Sequence, residues 1–267
     1  ITKKSFKIET IKNEVIGDSE VWPFEPDIQQ HIPADELEKL YQLKDSENNS
    51  LVHTTMCRID TLIHLIEKVP HTCKIINDHG ESLLHYHSAN PEEFYTIFLL
   101  KHAPELANLA DKKGRRPIHF SRNLKSLKVI IRDDTEKLTA CDYQNRNIWH
   151  YFNASDCDYF QYLIEHTEAQ SLLQQADTMG NLPLHFIIHQ NDDMSLIQEI
   201  IRLYPEAVMT ANEHGIIPAM NTGGNLAKLM LLLEIDPRCI NHTDTSGCNI
   251  AHYQPQMLRY YIELESF

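Results

Sequence analysis

Two apolar residues followed by a histidine return along this chain at a nearly constant interval, and a chain with that periodicity can take few folds. The signature stands at Leu51-Val52-His53, Leu83-Leu84-His85, Pro117-Ile118-His119, Ile148-Trp149-His150, Pro183-Leu184-His185 and Ile250-Ala251-His252. Pro218-Ala219-Met220 is the copy whose histidine is replaced. Eight residues before the third signature position lies Asp45, Asn77, Asp111, Asp142, Asp177, Asn212 or Asp244, at separations of 32, 34, 31, 35, 35 and 32 residues. Three residues after each of these comes Asn48, Gly80, Gly114, Asn145, Gly180, Gly215 or Gly247. Glycine and asparagine enter the left-handed backbone region at least cost. A fixed cap, a fixed turn residue and a fixed apolar pair, seven times over, predict one small unit stacked on copies of itself.

Within each unit the turn leads to a short helix opening near the proline or its equivalent, because proline suits the first helical position. A second helix follows, with apolar residues at spacings of three and four. These are Leu62, Leu65 and Ile66; Phe94, Ile97 and Phe98; Leu124, Leu127 and Ile131; Tyr159 and Leu163; Leu196 and Ile200; Leu229, Leu232 and Leu233. Pro70, Pro104, Asp133-Asp134, Pro205 and Pro237 then break the pattern. Neither helix can bury its stripe alone, so neighbouring units must cover each other. The distance from signature to second helix varies between units, which predicts an uneven groove.

These motifs resemble the ankyrin repeat family, whose unit is about 33 residues with a Thr-Pro-Leu-His signature and a turn glycine. Asp177-Thr178-Met179-Gly180-Asn181-Leu182-Pro183-Leu184-His185 carries the likeness best, and it extends over residues 45–267. The resemblance implies an all-α solenoid of about seven helix-turn-helix repeats. It also implies that the signature histidines hydrogen-bond backbone between neighbouring turns, a structural task. The chain departs from the family where small alanines usually follow the histidine: Tyr86, Phe120, Tyr151-Phe152, Phe186-Ile187 and Tyr253 stand there instead. Degenerate repeats rich in Asn, His, Gln and Ile are also similar to ankyrin effectors that intracellular bacteria inject into host cells. That likeness implies a host protein as target and the host cytosol as the place of action.

Residues 1–44 do not repeat. Pro33–Tyr41 reads as a helix, with acids in its first turn and Leu37, Leu40 and Tyr41 on one face, and residues 33–44 are expected to cap the array. Residues 5–16 fit either a helix ended by Gly17 or a strand. Trp22-Pro23-Phe24-Glu25-Pro26 is an extended apolar clip that either packs on the cap or anchors a partner.

The chain has 267 residues and a formal net charge of −14. No apolar run approaches the roughly 20 residues that span a bilayer, so no membrane role is expected. Six cysteines, Cys57, Cys73, Cys141, Cys157, Cys239 and Cys248, lack CxxC spacing. Scattered cysteines favour buried free thiols in a reducing compartment over a disulfide frame, hence an intracellular, cytoplasmic protein.

Sixteen histidines invite a metal or catalytic reading. Cys239, His242, Cys248 and His252 read C-x2-H-x5-C-x3-H, a donor set that suits tetrahedral zinc. His252 already serves as a signature histidine and Cys248 adjoins the turn glycine Gly247, so the structural reading is favoured and no metal is expected. Cys157 with His150 or His166 is a further pair to weigh. The chain carries no Gly-x-Ser-x-Gly elbow, no His-Glu-x-x-His and no phosphate loop, so neither enzyme chemistry nor a cofactor is expected.

Charge is the remaining asymmetry. Residues 111–140 hold nine basic side chains against four acidic ones, on an otherwise acidic chain. Lys112 and Lys113 fall at a turn tip, with Arg115 and Arg116 beside them. Nucleic acid is disfavoured, because the acidic remainder repels phosphate. The expectation is a protein-interaction scaffold that binds a partner with an acidic surface. The contact residues expected at or beside the tips are His79, Lys112, Lys113, Arg115, Arg116, Tyr143, Gln144 and Met179. The alternative is that the array is the recognition arm of a larger enzyme whose catalytic domain lies outside this chain.

Overall fold

The structure, a computed structural model, describes residues 49, 53, 59–89, 93–132, 134–153 and 156–257. The expected capping helix at 33–44, the clip at 22–26, the first turn with Asp45 and Asn48, and Cys57 lie outside the described residues. The described residues are mostly helical and contain no strand, only an isolated bridge between Ile76 and Ser82. The fold class is therefore all-α.

Six turns repeat one hydrogen-bond set. In each, the Oδ1 of the leading Asp or Asn accepts the backbone N–H groups two and four residues on. Asp111 takes Lys113 and Arg115, Asp142 takes Gln144 and Arg146, and Asp177 takes Met179 and Asn181. Asn77, Asn212 and Asp244 do the same. The residue three further on has positive φ in every turn: 80° at Gly114, and 60° at Asn145, which fills this place in the fourth turn. Glycine is required at Gly114 for a second reason. A Cβ there would stand 2.7 Å from the backbone nitrogen of Tyr143 and 2.5 Å from its ring.

Each turn also holds the next. Lys112 N–H donates to His79 O, Tyr143 to Lys113, Thr178 to Gln144, Glu213 to Met179 and Thr245 to His214, at 2.9–3.0 Å. The tips thus form a continuous bonded row from the second unit to the seventh.

The α-helices of the described residues are α1 (Ile59–Lys68), α2 (Leu83–His87), α3 (Glu93–His102), α4 (Leu124–Ile131), α5 (Cys157–His166), α6 (Ala169–Gln174), α7 (Pro183–Gln190), α8 (Met194–Leu203), α9 (Leu226–Ile235) and α10 (Ile250–Tyr253). The signature residues open α2, α7 and α10. In the third, fourth and sixth units they form only 3₁₀ turns, Pro117–Phe120, Ile148–Tyr151 and Pro218–Asn221. The longer second helices start at good caps. Asn123 accepts from Ser126 N–H, Asp156 from Asp158 and Tyr159, Asp193 from Ser195 and Leu196, and Asn225 from Ala227 and Lys228. The prolines read as breakers do more than end a helix. Pro70, Pro104, Pro205 and Pro237 each open a further 3₁₀ turn that runs toward the next unit.

One buried layer runs through the stack, with Leu84, Ile118, Trp149, Leu184 and Ala219 at equivalent positions, each 2 % exposed or less. The expected inner face of α3 needs correction. Phe94 and Ile97 are 51 % and 43 % exposed, while Thr96, Leu99 and Leu100 are buried. Residues 93–102 are apolar on nearly every side, so spacing alone did not single out the stripe that turns inward.

Candidate functional site

The signature histidines form a seam between units. Nδ1 of His85, His119, His150 and His185 accepts the backbone N–H three residues earlier. That leaves the proton on Nε2, which donates to a carbonyl further along the chain at 3.0–3.2 Å: Arg115, Asn181 and Ile216 in the following unit for His85, His150 and His185, and Ala140 at the end of its own unit for His119. All four rings are buried, and burial holds their pKa below the ordinary value, only partly opposed by these carbonyl bonds. His150 is pushed down to about 4. These histidines are neutral, fully occupied pins, ill-suited to bind metal or shuttle protons.

The aromatic residues that follow the signature histidines complete this seam. His53 meets Tyr86 edge-on, His85 meets Phe120, His119 meets Tyr151 and His150 meets Phe186, at 5.3–5.8 Å between ring centres. Two of these rings also carry a guanidinium: Arg115 over Phe120 at 4.6 Å and Arg146 over Phe186 at 4.9 Å. Sequence reasoning noted these aromatics as departures and missed their function. Their regular place, one residue after each histidine, was the available signal.

No three His, Cys, Asp or Glu side chains converge in a metal-holding group among the described residues. The expected burial of the thiols holds for Cys73 and Cys239 but not for Cys141 and Cys248, which are half-buried, or Cys157, which is exposed at the start of its helix. Cys239 has its Sγ 3.3 Å from the Met209 sulfur, and His242 Nε2 bonds Gly215 O at 2.8 Å. Cys157 and His166 occupy opposite ends of α5, about 13 Å apart along the axis. His150, the other partner weighed for Cys157, has both ring nitrogens engaged in the seam.

At the tips, His79, Lys112, Lys113, Tyr143, Gln144 and Met179 are all exposed, Tyr143 by 73 %. Tyr143 lies over Gly114, and its backbone is tied to Lys113. Arg115 is engaged elsewhere. Its guanidinium sits 2.7 Å from Glu81 and 2.6 Å from Asp111, with 18 % of the side chain exposed. It staples the second unit to the third and is not available to a partner.

The other cations of the basic segment sort the same way. Arg132 donates to Leu100 O, Arg122 to Asn153 O, and Lys137 to Ile130 O and Ile131 O. Lys125 pairs with Glu93 at 3.9 Å, and Lys128 lies over the Tyr162 ring. Lys112, Lys113 and half-buried Arg116 have no ion pair or side-chain hydrogen bond among the described residues. The basic segment therefore reduces to three uncommitted cations in one turn, next to the most exposed of the large hydrophobic side chains described.

No protein-family model matches the chain, and no curated protein matches it.

Proposed function

We propose that this chain is a degenerate ankyrin-type stack that serves as a protein-interaction scaffold, binding its partner along the row of turn tips. The observation that carries this reading is the row itself. Backbone bonds from each tip to the next fix its geometry, while the side chains of His79, Lys112, Lys113, Tyr143, Gln144 and Met179 stay in solvent. A surface ordered before binding loses little conformational freedom on association. Exposed tyrosine and methionine supply contact area that such a surface has no other structural reason to display. The histidine seam behind the row is occupied with holding units together, which fits a binding role better than a catalytic one.

The test is a photo-crosslinking amino acid placed at Tyr143, compared with one at Gln161 on the exposed side of α5. The partner should crosslink from the tip and not from α5, and Tyr143→Ala with Met179→Ala should weaken its capture. Capture unchanged by those two substitutions would refute binding through the tips.

A further inference from the structure

We infer that the tip row takes an extended acidic peptide whose carboxylates lie over Lys112, Lys113 and Arg116 and whose apolar side chains lie over Tyr143 and toward Met179. This rests on the scaffold reading and specifies the chemistry of the partner.

The charge argument is one of elimination by pairing. Glu81 and Asp111, acids of the same two turns, are both held by Arg115. Six of the nine basic residues of this segment are committed to a carbonyl, a carboxylate or a ring. The three that are not lie within five residues of one another on one turn. Free cations held close together on a chain of net charge −14 attract anions locally and repel them elsewhere. That favours a short acidic stretch over nucleic acid, which would need a longer run of cations along its backbone. It also favours such a stretch over an anionic membrane, which would face the acidic remainder of the molecule.

The apolar half follows from geometry. Tyr143 rests on the surface of Gly114, where the missing Cβ leaves room, so its ring is positioned by backbone contact yet remains 73 % exposed. Beside it on the same tip is Gln144, uncharged, and the next tip carries Met179, 37 % exposed. Because the tips are bonded in series, the cations, the ring and the thioether fall in order along one direction. A ligand matching that order is linear, acidic in one half and apolar in the other. An extended chain advances about 3.3 Å per residue, so one short segment spans neighbouring tips.

The experiment is fluorescence anisotropy at low salt with a panel of synthetic peptides, each joining a glutamate block to a leucine–phenylalanine block in either order. Alongside are an all-glutamate peptide, a single-stranded oligonucleotide and vesicles containing phosphatidylserine. At least one two-block peptide should bind more tightly than all three controls. Reversal at Lys112→Glu, Lys113→Glu and Arg116→Glu should weaken it at least about tenfold, chiefly by slowing association. Tyr143→Ala should chiefly speed dissociation. Reversal of the committed cations Lys125 and Lys128 should leave binding unchanged. The inference is overturned if no two-block peptide binds. It is equally overturned if both reversals weaken binding alike, or if the oligonucleotide or the vesicles bind tighter. If the inference fails while crosslinking from Tyr143 persists, the scaffold reading stands with a different partner chemistry.

Discussion

The fourth and sixth units solve the same packing problem with opposite materials. At the layer position between signature residues the fourth unit places Trp149 and the sixth places Ala219, both completely buried. Around Trp149 the space is filled by Phe152, Tyr159 and Phe160, with ring centres 5.6–5.8 Å apart. Around Ala219 it is filled by polar atoms that bond one another. Gln254 donates to Ala219 O at 2.9 Å and accepts from Thr222 Oγ1 at 2.7 Å, all of them buried. The sixth unit also lacks the histidine pin, since Met220 stands in its place, and lacks the aromatic, since Asn221 follows. Its helix α9 buries Lys228, whose ammonium reaches exposed Asp192 at 2.8 Å. The units tolerate this exchange because the turn, with its leading Asp or Asn and its left-handed third residue, is the same in both. The conserved geometry sits in the turn, while the core behind it is negotiable.

The largest effect expected from this contrast is at Trp149. Trp149→Ala should cost about 3–5 kcal/mol in denaturant unfolding, because it opens a cavity among rigid rings that cannot collapse. A loss below about 1 kcal/mol would mean the aromatic cluster is loosely packed and the contrast with Ala219 is empty.

Next are the polar groups. Gln254→Ala leaves a buried hydroxyl and a buried carbonyl unpaired, and His185→Ala leaves the Leu182 N–H and the Ile216 carbonyl short of a partner. Each should lose roughly 1–3 kcal/mol. Equal stability of His185→Ala and the native chain, measured by urea unfolding, would remove the histidine from the account of how units are joined.

The smallest effect concerns Lys228. A buried ammonium that is exchanged for an apolar chain of similar length loses no net stability, since desolvation offsets its ion pair. Lys228→Met should therefore leave the thermal midpoint unchanged or raise it, whereas Asp192→Asn should lower it by stranding the charge. A fall in both would show that the pair contributes net stability and that the sixth unit depends on it.

Much of this is legible in the sequence. The turn residues and the histidine were legible because their bonds are local, made to N–H groups two to four residues away. The α3 face was not, because its residues are apolar on nearly every side and only packing against neighbours selects the buried stripe. The division of the cations was hidden for a related reason. Arg115 finds Glu81 and Arg132 finds Leu100 O across more than thirty residues, in the preceding unit. Exposure of the tips followed from the repeat pattern. Which of their charges remain free depended on contacts that no local pattern encodes.

The histidine seam is the central claim, and it has a pH signature. Burial lowers the folded-state pKa of His85, His119, His150 and His185 below the ordinary 6.5, to about 4 at His150. Below 6.5 the unfolded chain takes up protons that the folded chain refuses. The stabilisation is thus complete above pH 6.5 and is lost progressively as pH falls from 6.5 toward 4. The direct measurement is nitrogen-15 NMR of the imidazole rings through a pH titration. The account predicts that His85, His119, His150 and His185 are neutral Nε2–H tautomers at pH 7, with His150 remaining so until near pH 4. An Nδ1–H tautomer at these rings, or titration of His150 near pH 6.5, would contradict it.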